Sequence, residues 1–163
     1  MKTLKFVLIA VLAGAAMGVN AAMAQNTLQL ETKSFREVEI VQPDGSRKKE
    51  LAPTEKMVPG DEVIYVTTYR NVGKQPAESV VITNPVPEAL LYKAGSANGE
   101  RSKAEVSVDG GKQYGELEKL TVKDADGKAR PATAADVTHL RWAVKADVAP
   151  GAEGKVTYRA TIK

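Results

Sequence analysis

Downstream of residue 24 the chain alternates apolar and polar residues with a period of two, and turn-forming residues break the alternation every ten or so positions. No window sustains the three-to-four spacing of an amphipathic helix, so the pattern predicts an all-β protein. The cleanest run is the last, where Val156, Tyr158, Ala160 and Ile162 share one face while Lys155, Thr157, Arg159 and Thr161 share the other. That is an antiparallel strand with one buried side. The same reasoning places a strand at 137–144, with Leu140, Trp142 and Val144 inward and His139 and Arg141 outward. Residues 61–71 are apolar or aromatic on both faces, as expected of a central strand. Residues 80–83 form a further strand, stopped by Asn84-Pro85 and Pro87 because proline removes ladder donors.

Turn chemistry separates these runs at Pro43-Asp44-Gly45, Pro59-Gly60, Asn71-Val72-Gly73, Asn98-Gly99, Asp109-Gly110-Gly111, Asp126-Gly127 and Pro150-Gly151. Each supplies a preset proline φ or a residue tolerant of positive φ. Many short strands with frequent turns predict an antiparallel β-sandwich rather than a parallel sheet. Two hairpins are expected: 106–108 into 112–114 across Asp109-Gly110, and 120–122 into 128–130 across Asp126-Gly127. Residues 28–41 alternate imperfectly. Leu28, Leu30, Val38 and Ile40 share one parity, interrupted by Thr32, Ser34 and Arg36. A long strand bulged near Ser34, two short strands, or an arm that pairs with another molecule all fit.

The first 24 residues carry a different signal. Lys2 and Lys5 precede an apolar run over 6–19 and a small-residue exit at Ala22-Met23-Ala24, the layout of a cleaved secretory signal. Mature protein is then expected to begin near Gln25 and to reach the periplasm or the extracellular space. The apolar run is shorter than the roughly 20 residues that span a bilayer, and no second run follows, so no membrane span is expected after cleavage. The absence of cysteine rules out disulfide staples and a lipidated cleavage-site cysteine, and burial alone must stabilise the domain. Removing 24 of 163 residues leaves 139, a common size for one domain. It also removes two lysines, leaving 21 basic and 20 acidic residues, a balance of +1. Interspersed, nearly balanced charge excludes the basic footprint of a nucleic-acid-binding protein. The expected layout is a signal over 1–24, a strand-forming extension over 25–57 and a sandwich over 58–163.

Candidates for chemistry are few. His139 is the sole histidine; with Asp136 it suggests part of a triad, but a histidine on an outward strand face beside Arg141 is expected to be solvated or hydrogen-bonded. Asp124-Ala125-Asp126-Gly127 resembles a fragment of a calcium loop without its third oxygen ligand and downstream glutamate, and a hairpin turn accounts for it. One histidine and no cysteine make no zinc site. Glu37 with Glu39, and Glu116 with Glu118, have strand spacing near that of an inverting glycosidase pair. Both pairs lie among lysines, arginines and turn residues with no aromatic platform for a sugar, which indicates solvated faces. Arg47-Lys48-Lys49 follows a turn and is expected to discourage edge pairing. No catalytic residue, cofactor or metal is expected. Tyr65, Tyr69, Trp142 and Tyr158 are expected in the core. Tyr92 and Tyr114, near strand ends, together with Leu28 and Leu30 of the N-terminal arm, are the expected interaction surface.

The run Pro59-Gly60-Asp61 followed by Tyr65, Asn71 and Gly73, then Val80-Val81-Ile82-Thr83-Asn84-Pro85-Val86-Pro87 with Leu90 and Tyr92, resembles the bacterial DUF11 repeat domain. Ser107-Val108-Asp109-Gly110-Gly111-Lys112, Thr138-His139-Leu140-Arg141-Trp142 and Pro150-Gly151 fit the same family, so the resemblance covers the chain from about residue 58 onward. It departs at Asn84, where the family often has aspartate, and in having one copy where arrays are usual. The resemblance implies an immunoglobulin-like sandwich with a structural or adhesive role in the cell envelope and no shared catalytic residues. The expected partner is an envelope protein or a second copy of the chain, the latter through strand addition by the N-terminal arm.

Overall fold

A computed structural model describes residues 28–54 and 56–163; the expected secretory signal lies outside the described residues. They form eleven strands and two 3-10 turns, with no α-helix, and every strand pairing is antiparallel. The strands are β1 (Leu28–Val41), β2 (Arg47–Pro53), β3 (Glu62–Asn71), β4 (Val81–Pro85), β5 (Leu90–Tyr92), β6 (Asn98–Gly99), β7 (Ser102–Ser107), β8 (Thr121–Lys123), β9 (Ala129–Pro131), β10 (His139–Val144) and β11 (Glu153–Ile162). A six-stranded sheet runs β2-β1-β3-β11-β5, with β6 also on β11; a three-stranded sheet runs β4-β10-β7; β8 and β9 pair by themselves.

Strand parity builds the core. Val63, Thr67, Tyr69 and Asn71 of β3 are buried beside Val156, Tyr158 and Ala160 of β11, because the register sets Ala160 opposite Val63 and Val156 opposite Thr67. Leu140 and Trp142 of β10 are wholly buried, opposite Val106 and Ala104 on β7 and beside Ile82 on β4. Both sheets feed one hydrophobic cluster. Trp142 lies 6.3 Å from Tyr158 between ring centroids, and Tyr158 stacks on Tyr65 at 5.0 Å. Central placement of β3 between β1 and β11 explains its two-sided apolar pattern: Ile64, on the opposite face, is also buried.

Several expectations change. β1 has no bulge: its register runs unbroken against β3 from Leu28 to Phe35 and against β2 from Phe35 to Val41. The polar interruptions are instead hydrogen-bonded. Thr32 Oγ1 lies 2.9 Å from Thr67 Oγ1, which accepts from Asn84 Nδ2 at 2.7 Å, and Ser34 Oγ lies 2.7 Å from Thr54 Oγ1. Asn84 thus bridges the two sheets. The strand expected over 80–83 continues through Asn84 and Pro85 as β4. It is an edge strand, and since the Val86 N–H bonds to β10's neighbour Thr138, the proline nitrogen faces the open side and costs no ladder bond.

The Asp126-Gly127 hairpin forms as expected, as β8 and β9. The Asp109-Gly110 hairpin does not. Residues 109–113 wrap around the Asp109 carboxylate, which accepts from the Lys112 and Gln113 N–H groups and from the Ser107 hydroxyl, and only Val106 and Gly115 pair across the loop. β7 takes β10 as its partner instead. β10 begins at His139 rather than 137 because Val137 caps the end of the preceding 3-10 turn, its N–H donating to the Ala134 carbonyl.

Candidate functional site

β1 outlasts its neighbour. Pairing with β3 ends at Phe35, opposite Ile64, while pairing with β2 continues to Val41, so β1 runs six residues, about 20 Å, past its last pair with β3 as a two-stranded ribbon with β2. The Pro43-Asp44-Gly45 turn closes it: Gly45 takes φ +83°, the Gln42 N–H donates to the Ser46 carbonyl, and Asp44 accepts from Ser46 N–H and Oγ–H. Ribbon charges pair within the ribbon, Arg47 with Glu39, Lys48 with Glu50 and Lys49 with Glu37. Three of its apolar side chains stay in water; Ile40 is 42% exposed, Val41 66% and Leu51 49%, while Val38 is half-buried. β2 forms the sheet edge, with no strand beyond it among the described residues.

The base of the ribbon is clamped from the outer face. Glu37 of β1 accepts from Lys49 at 2.8 Å and from Arg159 of β11 at 2.9 Å; Arg159 also bonds Glu62 of β3, which bonds Lys93. The Lys49 ammonium first, then the Arg159 guanidinium, hold the Glu37 carboxyl down at about 2. Lys93, then Arg159, lower Glu62. Because these folded-state values lie below the unfolded carboxyl value of about 4.3, the network stabilises the fold above that pH and is lost as pH falls towards about 2. The expected result is a melting temperature that declines between pH 5 and pH 2, with a shallower decline in Arg159→Met and in high salt. Parallel curves for Arg159→Met and the native protein would contradict this account of the clamp.

The inner face of β1 is open for a separate reason. Asn84 lies over Thr67, so the three-stranded sheet ends above β3. Leu30, sharing the inward parity of Tyr69, is therefore 52% exposed, whereas Leu28 is half-buried against the core. Met57, between β2 and β3, packs against the core cluster.

Of the expected surface anchors, Tyr92 is a correction: it is 4% exposed, its ring 6.5 Å from Tyr158. β5 pairs with the end of β11, which turns Tyr92 inward. Tyr114 is half-buried, with the Arg141 guanidinium 4.3 Å over its ring. Arg141 bonds Glu105 and holds that cation in place. His139 lies on the same outer face, its Nδ1 3.2 Å from Thr138 Oγ1. Asp136 faces elsewhere: it takes a two-pronged contact from Arg130 at 2.6 and 2.8 Å and caps Thr133, which hold its carboxyl far below the usual range. Histidine and aspartate are thus not brought together.

Asp124 accepts from the Asp126 and Lys128 N–H groups within the hairpin turn. Glu37 and Glu39 do share a face, but each is engaged by a cation of β2. Glu116 and Glu118 lack the strand spacing, since Glu118 lies in the 3-10 turn Leu117–Lys119 and Glu116 pairs with Lys119. The ribbon's length was missed in the sequence because parity reveals a strand's faces but not where its partner stops. No protein-family model, curated protein or solved structure matches the chain.

Proposed function

We propose that this is a secreted, non-enzymatic protein of the cell envelope, an immunoglobulin-like sandwich that binds another protein through its projecting β1–β2 ribbon. The observation that carries the reading is the ribbon itself: three ion pairs form within it, its β2 edge is unpaired among the described residues, and Ile40, Val41 and Leu51 lie in water. The basic run Arg47-Lys48-Lys49, expected to discourage edge pairing, is neutralised by Glu39, Glu50 and Glu37, so main-chain pairing along the β2 edge can supply affinity while alternate side chains supply selectivity. Export is supported by the basic, apolar and Ala-x-Ala order of the first 24 residues. The DUF11 resemblance rests on the turn and core residues from Pro59 to Tyr92 and bears on fold and setting alone.

A photo-crosslinking residue at Val41, compared with one at Lys128 on the β8–β9 hairpin, tests this in the producing cell. Adducts are expected from the ribbon position only. The double change Ile40→Thr and Leu51→Thr, which removes the apolar side chains without placing a charge opposite Glu37, is expected to abolish them while altering stability by no more than about 0.5 kcal/mol, as for ordinary surface positions. Equal labelling from both positions, or none from the ribbon, would overturn the proposal.

The second reading, self-assembly, is favoured by the same open edge. Residues 28–35 pair with β3 in their own chain, so a second copy would join at β2 rather than through a free arm. An adduct of twice the chain mass would identify the partner as another copy.

A further inference from the structure

We propose that the first half of β1 pairs with the same segment of a second copy of the chain, in an antiparallel two-fold contact centred on Leu30. The contact is separate from the ribbon and from the β2 edge, because it uses residues 28–33, which β2 does not reach.

A free edge is the first observation. β3 pairs with β1 from Leu28, whereas β2 pairs with it only from Phe35 onward. Residues 28–33 therefore have a strand on one side and none on the other among the described residues. Main-chain groups of alternate residues point to opposite sides of a strand. The Ser34 carbonyl accepts from the Thr54 N–H on the β2 side, so the N–H and C=O groups of Leu28, Leu30 and Thr32 point the same way. No described residue pairs with them there.

Leu30 is the second. It shares the inward parity of Tyr69 yet is 52% exposed, and Gln29, Glu31, Thr32 and Lys33 around it are exposed too. The β2 edge is guarded by Arg47, Lys48 and Lys49, but this one has no proline and no run of like charge. Glu31 and Lys33 pair with each other at 2.9 Å on the outer face. Little in the segment keeps another strand away.

Register selects the occupant. A two-fold axis perpendicular to the sheet sets residues of like parity opposite one another. With Leu30 opposite Leu30 of the other copy, Leu28 faces Thr32 and Gln29 faces Glu31 on both sides of the axis. The outward groups of Leu28, Leu30 and Thr32 then exchange about six main-chain hydrogen bonds. Both exposed leucines leave water together, and the two larger sheets become one. Centring on Glu31 instead would set that carboxylate against itself. Centring on Thr32 would drive Leu28 against Arg36, whose outer side Ala52 already fills. The segment thus matches itself in one register, which makes a second copy its partner. Such a contact is small and belongs with weak, reversible interfaces.

The chain has no cysteine, so a single introduced thiol reports the axis. In this register the two Cα atoms at position 30 lie about 5.5 Å apart, within reach of a disulfide. In the whole protein, Leu30→Cys is expected to give disulfide-linked pairs with oxidised glutathione, while Lys128→Cys on the β8–β9 hairpin is not. Sedimentation equilibrium over a series reaching about 1 mM measures the unmodified contact. Leu30→Lys, which sets like charges face to face at an exposed position, is expected to weaken it at least about tenfold and to move the melting temperature by no more than about 3 °C. Gln29→Lys is expected to tighten it about fivefold and Gln29→Glu to loosen it about fivefold, because each change meets Glu31 of the other copy on both sides of the axis. Val41 lies about 36 Å along β1 from the axis, so crosslinking from the ribbon succeeds or fails separately. No excess of linked pairs in Leu30→Cys over Lys128→Cys, a monomer mass at every concentration, association unweakened in Leu30→Lys, or Gln29 changes that act in the same direction would overturn the contact.

Discussion

Replacing Trp142 by alanine is expected to destabilise the protein by about 4 kcal/mol and to lower its melting temperature by roughly 15 °C. Trp142 is 0% exposed on β10, the middle strand of the smaller sheet, flanked across the ladder by Ile82 and Ala104. Its ring meets Tyr158 of the larger sheet, which also contacts Tyr65 and Tyr92. Alanine would leave a cavity at the contact between the sheets, where neither backbone can collapse without breaking its ladder. The indole Nε1 is buried without a hydrogen-bond partner among the described residues. An unsatisfied buried donor costs about 1–3 kcal/mol, so Trp142→Phe, which removes it while keeping most of the volume, is expected to lose less than half as much as alanine. Urea unfolding followed by far-ultraviolet circular dichroism suits the comparison, because Trp142 is the only tryptophan in the chain. A phenylalanine variant less stable than the alanine one would refute this description of the core.

Asn71→Ala is expected to cost about 3 kcal/mol although it deletes only a small polar group. Asn71 is 0% exposed at the end of β3, and its side chain ties two loops together. Nδ2 donates to the Gln75 carbonyl at 2.8 Å and the Val148 carbonyl at 2.7 Å, while Oδ1 accepts from the Gly73 N–H at 2.8 Å. Its backbone adds bonds to Ala152 and Gly151. Alanine strands two carbonyls and one N–H, at about 1 kcal/mol for each lost bond. Asn71→Asp separates hydrogen bonding from size. A carboxylate there would face two carbonyl oxygens, which raises its folded-state pKa above the unfolded value of about 3.9. Relative to the native protein, that variant is expected to weaken progressively as pH rises from 4 to 7, whereas the alanine deficit stays flat. Denaturant midpoints at the two pH values check this; a flat aspartate deficit would mean the side chain is solvated.

Much of this architecture is legible in the residues. Val156, Tyr158 and Ala160 declare the buried face of β11, Leu140 and Trp142 that of β10, and Asp126-Gly127 its hairpin. Asn71 was visible as a turn residue, but nothing in its neighbourhood announces that Val148, 77 positions away, completes its hydrogen bonds. The ribbon was visible as an imperfectly alternating run over 28–41, a Pro43-Asp44-Gly45 turn and the basic run Arg47-Lys48-Lys49 after it, without its projection. Tyr92 and the 109–113 loop were misplaced for a common reason: each lies at a strand end, where local pattern is weakest and a distant partner decides.

By itself, the sequence determined that the chain is all-β, where most strands run and which face of each turns inward, because side-chain alternation and turn chemistry act within a few residues. Tertiary structure alone decided that β1 outruns β3, that the smaller sheet stops over Thr67 and leaves Leu30 in water, and that β2 stops short of residues 28–33. Those outcomes depend on where one strand's neighbour ends and how far one sheet covers another. Such lengths and overlaps are set by contacts between residues far apart in the chain, and no period along it encodes them.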